Sequence, residues 1–277
     1  PILDKDGRVF AVLAGCPRDS NWDRVNDEIQ DIFETCREAY GLTAKQINHR
    51  RGDFPAITSG ISFGGGQQVV ANLAHSKHNQ SVVDALLQQT AIRRVANFGN
   101  AAMQLFAPRL YAHYEQNMDA LLSSDARLRP NFPHNVFGAA TFNLGPATIS
   151  RPHTDHLNLP WGWCSITAAG TFSPRRGGHM VLHQLRMIIE FPPGSTILIP
   201  SAILRHSNTP IAPGERRYSF TQYSAGGLFR WVASGFRPAN TLPRMSAKEA
   251  ERDGDARWKE GLSMLSLWSE LVEQNVL

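Results

Sequence analysis

The chain has 277 residues, 42% of them hydrophobic, enough to bury a full core as one large domain or two small ones. It carries 28 Lys and Arg against 24 Asp and Glu, a net +4 that mildly favours an anionic partner and equally fits an ordinary enzyme surface. Cys16, Cys36 and Cys164 are too widely separated for a CxxC metal pair or a disulfide framework, and no apolar run reaches the roughly 20 residues that span a bilayer.

In chain order, Trp22, Val25, Ile29, Ile32 and Phe33 recur at helical spacing over residues 21–40, with Asp19 or Ser20 as N-cap. Residues 41–68 then read as a long basic loop, with Lys45, His49, Arg50 and Arg51 leading into the run GISFGGG over 60–66, too glycine-rich for a helix. Helical spacing returns over 81–123, interrupted by Pro108, as one broken helix or two successive ones. From 136 to 223 the pattern changes to short β-rich runs between Gly and Pro turns, at 137–144, 147–151, 164–172, 179–183, 187–191, 196–199 and 217–223. Strands at this density indicate a sandwich, jelly roll or barrel. The C-terminal piece reverts to helix, with Trp258, Leu262, Leu265 and Val272 on one stripe. No Pro/Gly/Ser linker divides the chain, so residues 1–277 are expected to form a single α+β catalytic domain. Its β core lies at about 136–231, and helices and loops at 1–135 and 240–277 cover one face of the sheet.

The chemistry-bearing pattern starts at His153-Thr-Asp155. In a strand ending near Arg151, residues i and i+2 share a face, so both side chains can address one point. Two imidazoles and one carboxylate on one face of Fe(II) leave three positions open, the arrangement of non-haem iron oxygenases. A third ligand must come from a distant strand. His206 follows a Pro-Pro-Gly-Ser turn and precedes the strand Arg216-Arg-Tyr-Ser-Phe-Thr-Gln-Tyr223, in which Arg217, Ser219, Thr221 and Tyr223 share a face. Arg217 with the Ser219 hydroxyl suits the far carboxylate of 2-oxoglutarate, while Arg216 points the other way. The co-substrate's keto acid end would chelate the iron, and O₂ would be consumed with release of succinate and CO₂. His179 and His183 are rival third ligands, but neither precedes an Arg-x-Ser strand and both read better as turn or sheet-face residues. The glycine run at 64–66 has neither the ending of a P-loop nor the spacing of a dinucleotide fingerprint, and reads as a flexible loop open to substrate contact.

These residues resemble the Fe(II)/2-oxoglutarate dioxygenases with a double-stranded β-helix (jelly-roll) core, a likeness covering residues 137–223. More narrowly, HTDHLN from His153, Gly177-Gly178, PGSTI from Pro193, His206-Ser-Asn, Arg217-Tyr-Ser219 and GGLFRW from Gly226 resemble the TET/JBP-type branch, particularly its transposon-associated fungal members. The resemblance implies a nuclear enzyme oxidising 5-methylcytosine in DNA to hydroxymethyl and higher forms. It departs from animal TET enzymes in lacking their cysteine-rich zinc region. Family members place base-contacting residues at the positions of His156 and Asn158, just past the HxD. Trp161 and Trp163 read as core, although they have the surface to stack on a base, and Lys45, His49, Arg50 and Arg51 suit phosphates or plain solvent equally. Alternatives are N6-methyladenine or other N-methyl demethylation, hydroxylation of a protein or small molecule, and a non-catalytic nucleic-acid-binding module on a degenerate β-helix. A monomer without membrane association is expected.

Overall fold

The structure, a computed structural model, describes residues 1–238, 241, 243, 245 and 247–273. Its elements, in chain order, begin with β1 (Ile2–Leu3), β2 (Val9–Gly15), α1 (Trp22–Ala39), α2 (Ala44–Ile47), β3 (Asn48–His49), β4 (Gly52–Asp53), β5 (Ala56–Ser62) and β6 (Ala71–Asn72). Three helices follow, α3 (Lys77–Gln88), α4 (Thr90–Phe106) and α5 (Pro108–Ser124). Then come β7 (Ala139–Asn143), β8 (Cys164–Thr171), β9 (Met180–Leu182), β10 (Met187–Ile189), β11 (Thr196–Ile199), β12 (His206–Asn208) and β13 (Arg216–Tyr223). The chain closes with α6 (Gly226–Ala233), α7 (Ala247–Ser263) and α8 (Trp268–Glu273). The ends of the expected C-terminal cover, at 240 and 274–277, lie outside the described residues.

Two sheets face one another. The larger has eight strands in the order β1-β2-β11-β8-β13-β7-β5-β6, and the smaller has three, β10-β9-β12. Strand β13 is central, antiparallel to β8 on one side and β7 on the other, so its alternation divides two environments. Tyr218 and Phe220 join Phe142 beneath α1 and α4, whose Val25, Ile29, Phe33, Ile92 and Val95 complete that core. Arg217 and Ser219 face the other way, toward the smaller sheet. There Ile166, Ala168 and Ile197 of the larger sheet meet Met180 and Leu182 of the smaller one. A third core, with Tyr114, Met118, Trp163, Phe229 and Leu271, fastens α5, α6 and α8 to the end of the sandwich.

Several expectations are corrected. The basic loop at 41–68 contains α2, the β3–β4 hairpin and β5, and β2 and β5 both join the large sheet, so the β core extends well before residue 136. The region 147–151 is no strand: Ala147 forms an isolated bridge to Arg217, and Arg151 donates instead to the Arg51 carbonyl, so no ladder runs along it. Three helices, broken at Gln89 and Ala107, replace the expected one or two, with Pro108 at the first turn of α5, where its missing N–H costs nothing. The N-cap of α1 is Asn21, whose own N–H donates to the Asp19 carboxylate. In the C-terminal stripe the chain breaks between α7 and α8, which leaves Leu265 buried but Val272 50% exposed.

Helix α4 lies so close to β8 that a Cβ on Gly99 would sit 2.1 Å from Ser165 Oγ and 3.0 Å from its Cβ. Gly254, in α7, has open space at the same point. Gly99→Ala should therefore cost about 1–3 kcal/mol through overpacking, whereas Gly254→Ala should be neutral or stabilise by up to about 1 kcal/mol through helix propensity. Urea denaturation of both variants checks the contrast.

Candidate metal and anion site

Backbone pairing brings the two histidines together. His153 N–H donates to the His206 carbonyl (3.0 Å) and His206 N–H donates to the His153 carbonyl (2.9 Å), an antiparallel bridge at the start of β12. Asp155 is set by its own N–H, which donates to the Ser201 carbonyl at 2.9 Å. The two ligand sources are thus coupled by a local bridge, whereas the reading from sequence relied on strand alternation through 151.

Each imidazole is oriented the same way. His153 Nδ1 lies 2.7 Å from the Arg151 carbonyl and His206 Nδ1 2.9 Å from the Leu204 carbonyl, contacts that require the proton on Nδ1 and leave the Nε2 lone pair free. His153 Nε2 then sits 3.8 Å from Asp155 Oδ1, and His206 Nε2 3.9 Å from Asp155 Oδ2. The three donor atoms all lie within 4.8 Å of one another. Burial, helped by the neighbouring His206, lowers the His153 imidazole to about 4, and burial also lowers His206. Both rings are therefore neutral at pH 7, the form that binds metal. The donor set, tautomers and spacing fit one divalent cation with an open face. The rivals are engaged elsewhere: His179 Nδ1 meets Thr209 Oγ1 and His183 Nε2 meets Ser207 Oγ, each at 3.0 Å.

Deeper between the sheets, Arg217 is 1% exposed. Its Nη1 donates to the Thr148 carbonyl at 2.7 Å, and the Phe172 and Phe191 rings lie 5.8 and 5.9 Å from the guanidinium carbon. Nε has no partner, and no carboxylate pairs with this cation among the described residues. Burial pulls its pKa down to about 10. A desolvated charge without a counter-ion costs several kcal/mol, so the cradle fits an anion from outside the chain. Gly178 keeps it clear: a Cβ there would lie 2.5 Å from the Phe172 ring and 3.3 Å from Arg217 Cδ. Ser219 Oγ accepts from Asn143 Nδ2 (2.8 Å), which leaves its hydroxyl proton free to donate. Asn143 is the residue that sequence reasoning missed. Its Oδ1 is buried without a partner, and its place opposite Ser219 on β7 follows from strand register that no local motif carries. Arg216 faces outward to Glu34 of α1, as expected.

A cleft of about 510 Å³ opens beside Asp155, lined by Lys45, Arg50, Arg51, Gly64, Thr58, Thr141, Thr221 and Tyr223 among others. Arg51 and Asn158 belong to this lining, while His156 is exposed and outside it. Asn158 Nδ2 approaches Cys164 Sγ (3.2 Å) and Ser201 Oγ (3.3 Å). Trp163 is core, and Trp161 packs partly buried against the same cluster.

No protein-family model and no curated protein matches the chain by sequence. Among solved structures, the chain is similar to NgTET1 in complex with 5mC DNA, at 15% identity and a TM-score of 0.58, over 81% of this chain and 75% of that one. The fold is a double-stranded β-helix. Weaker overlaps include a Pseudomonas putida prolyl-4-hydroxylase (14% identity, 80% of this chain and 94% of that one, TM-score 0.37) and OsALKBH1 (10%, 78% and 97%, 0.40). Within this double-stranded β-helix, Asp155 of the triad lines the cleft and Arg217 is buried on β13 of the larger sheet.

Asp155→Ala should abolish binding of one equivalent of Mn(II), measured by titration, while leaving the far-ultraviolet dichroism unchanged. Retention of full affinity would remove Asp155 from the ligand set.

Proposed function

We propose that the protein is an Fe(II)/2-oxoglutarate-dependent dioxygenase that oxidises 5-methylcytosine in DNA. The observation that carries the cofactor reading is the pairing of a three-donor site with a buried guanidinium that has no counter-ion in the chain. His153, Asp155 and His206 would hold the iron, and Arg217 with the Ser219 hydroxyl would hold the remote carboxylate of 2-oxoglutarate. When bound, iron and 2-oxoglutarate together supply an oxidant able to attack a C–H bond, at the expense of O₂ and the co-substrate. The chain supplies position. The Nδ1 contacts to Arg151 and Leu204 fix the imidazole planes, the aromatic walls of Phe172 and Phe191 exclude water from the Arg217 end, and the cleft admits substrate beside Asp155.

The substrate reading draws on the cleft and on the sequence resemblance to the TET/JBP-type branch. A methylated base reaches an iron only when flipped from the duplex, and a pocket flanked by cations suits a base with its phosphates. Lys45, Arg50 and Arg51 supply those charges, and the glycine loop at 64–65 allows close approach of a backbone. The structural neighbour bound to 5mC DNA is consistent with this reading. We extend the proposal to a nuclear location, where such a substrate occurs in a eukaryotic cell.

Incubation with 5-methylcytosine and N6-methyladenine duplexes, Fe(II), 2-oxoglutarate and ascorbate, followed by nucleoside mass spectrometry, should yield hydroxymethylcytosine and higher oxidised forms. Product only from N6-methyladenine would change the substrate, and DNA binding without 2-oxoglutarate consumption would leave a binding module. Arg217→Met should abolish 2-oxoglutarate binding by calorimetry without lowering the melting temperature of the apoprotein, because it removes an unpaired buried charge. Arg216→Ala should leave that affinity within about twofold, since an exposed ion pair contributes only about 0–1 kcal/mol.

A further inference from the structure

Asp155 has a side-chain partner outside the triad. Arg50 Nη2 lies 3.5 Å from Asp155 Oδ1, and Arg50 Nη1 donates to the Thr154 carbonyl at 3.1 Å, so one guanidinium spans the backbone and the side chain of the His-x-Asp segment. Arg50 sits in the turn between β3 and β4, a hairpin docked along that segment. The Arg51 carbonyl accepts the Arg151 N–H at 2.7 Å, Asp53 pairs with Arg151, and Gly52 lies so near that an added Cβ would stand 2.8 Å from the Ile149 carbonyl oxygen. The hairpin is therefore held against that segment by the three residues that follow Arg50.

We propose that Arg50 is a positioning residue for the metal centre, holding Asp155 Oδ1 so that the carboxylate presents its other oxygen toward His206. The proposal rests on the reading of His153, Asp155 and His206 as metal ligands. Two magnitudes point to orientation as the role. The Arg50 side chain is 56% exposed, so its ion pair contributes little to folding. A cation beside a divalent ion also opposes metal binding by Coulomb repulsion, so charge alone gives no reason to keep a guanidinium here. A hydrogen-bonded ligating carboxylate, by contrast, loses about 10- to 100-fold in metal affinity when its outer partner is removed. The two effects have opposite signs, which makes them separable.

The test is Mn(II) titration of the protein without 2-oxoglutarate, followed by electron paramagnetic resonance, on wild type, Arg50→Ala, Arg50→Lys and Arg51→Ala. Visible absorption of the Co(II)-loaded proteins reports ligand geometry. Arg50→Ala should weaken Mn(II) binding about 10- to 100-fold and change the Co(II) bands. Arg50→Lys should recover part of the affinity, and Arg51→Ala, which removes a neighbouring charge, should not weaken binding. Equal or tighter Mn(II) binding by Arg50→Ala overturns the proposal. If that variant fails to fold, Arg50→Met, with similar length but neither charge nor donor, decides by the same sign. Failure of the wild type to bind Mn(II) would remove the metal reading itself and the proposal with it.

Discussion

Arg217 carries its charge into the space between two sheets with a single backbone carbonyl and two aromatic faces around it. An unpaired ion at such depth is tolerated only where the surrounding structure over-determines it, and that surrounding is assembled from distant parts of the chain. Strands β7 and β8 hold β13 on both sides, Gly178 leaves room for the Arg217 stem, and Thr148 accepts one of its protons. On the opposite face Tyr218 and Phe220 tie the same strand to the helical core, so Arg217 cannot turn away without unpacking it. The strand that stabilises the fold is thus also the strand that bears a buried charge without a counter-ion among the described residues. The cost becomes intelligible if the completing charge arrives with a ligand.

The other end of the site depends on the backbone. His153 and His206 exchange two amide hydrogen bonds, and each ring is locked by a carbonyl two residues upstream. No side chain outside the triad is needed to aim the Nε2 atoms. Asp155 differs: its backbone is fixed by Ser201, but its carboxylate turns freely unless something holds it, and among the described residues outside the triad Arg50 pairs with it. Because Arg50 also lines the cleft, the cleft wall and the carboxylate share one structural element.

The pairing of His153 with Asp155 and of Arg217 with Ser219 was legible in sequence because both are local. His153 and Asp155 are two residues apart, and Arg217 and Ser219 alternate on one strand, so spacing alone implies a shared direction. The preference for His206 over His183 came from its place before that strand, and the structure keeps His183 on a serine hydroxyl. What was not legible depends on long-range pairing. Strand β5 is buried along much of its length and contains Gly60, so it shows neither clean alternation nor typical composition, yet it pairs with β7 in register from Ala56 to Gly60. Asn143 matters only because it lies opposite Ser219, and Arg50 only because a hairpin folds back over residues 149–155. The segment 147–151 looked like a strand by composition, but its amides donate to separate partners, Thr148 to the Arg217 carbonyl and Arg151 to the Arg51 carbonyl, so no continuous ladder forms.

The most direct measurement is a crystal structure of the protein prepared without oxygen, with Fe(II) and 2-oxoglutarate, using diffraction data collected at the iron absorption edge. One anomalous peak among His153 Nε2, Asp155 and His206 Nε2, with dicarboxylate density running from it to Arg217 and Ser219, is the predicted result. No peak at the triad, or an Arg217 that stays without an anion at saturating 2-oxoglutarate, would contradict it.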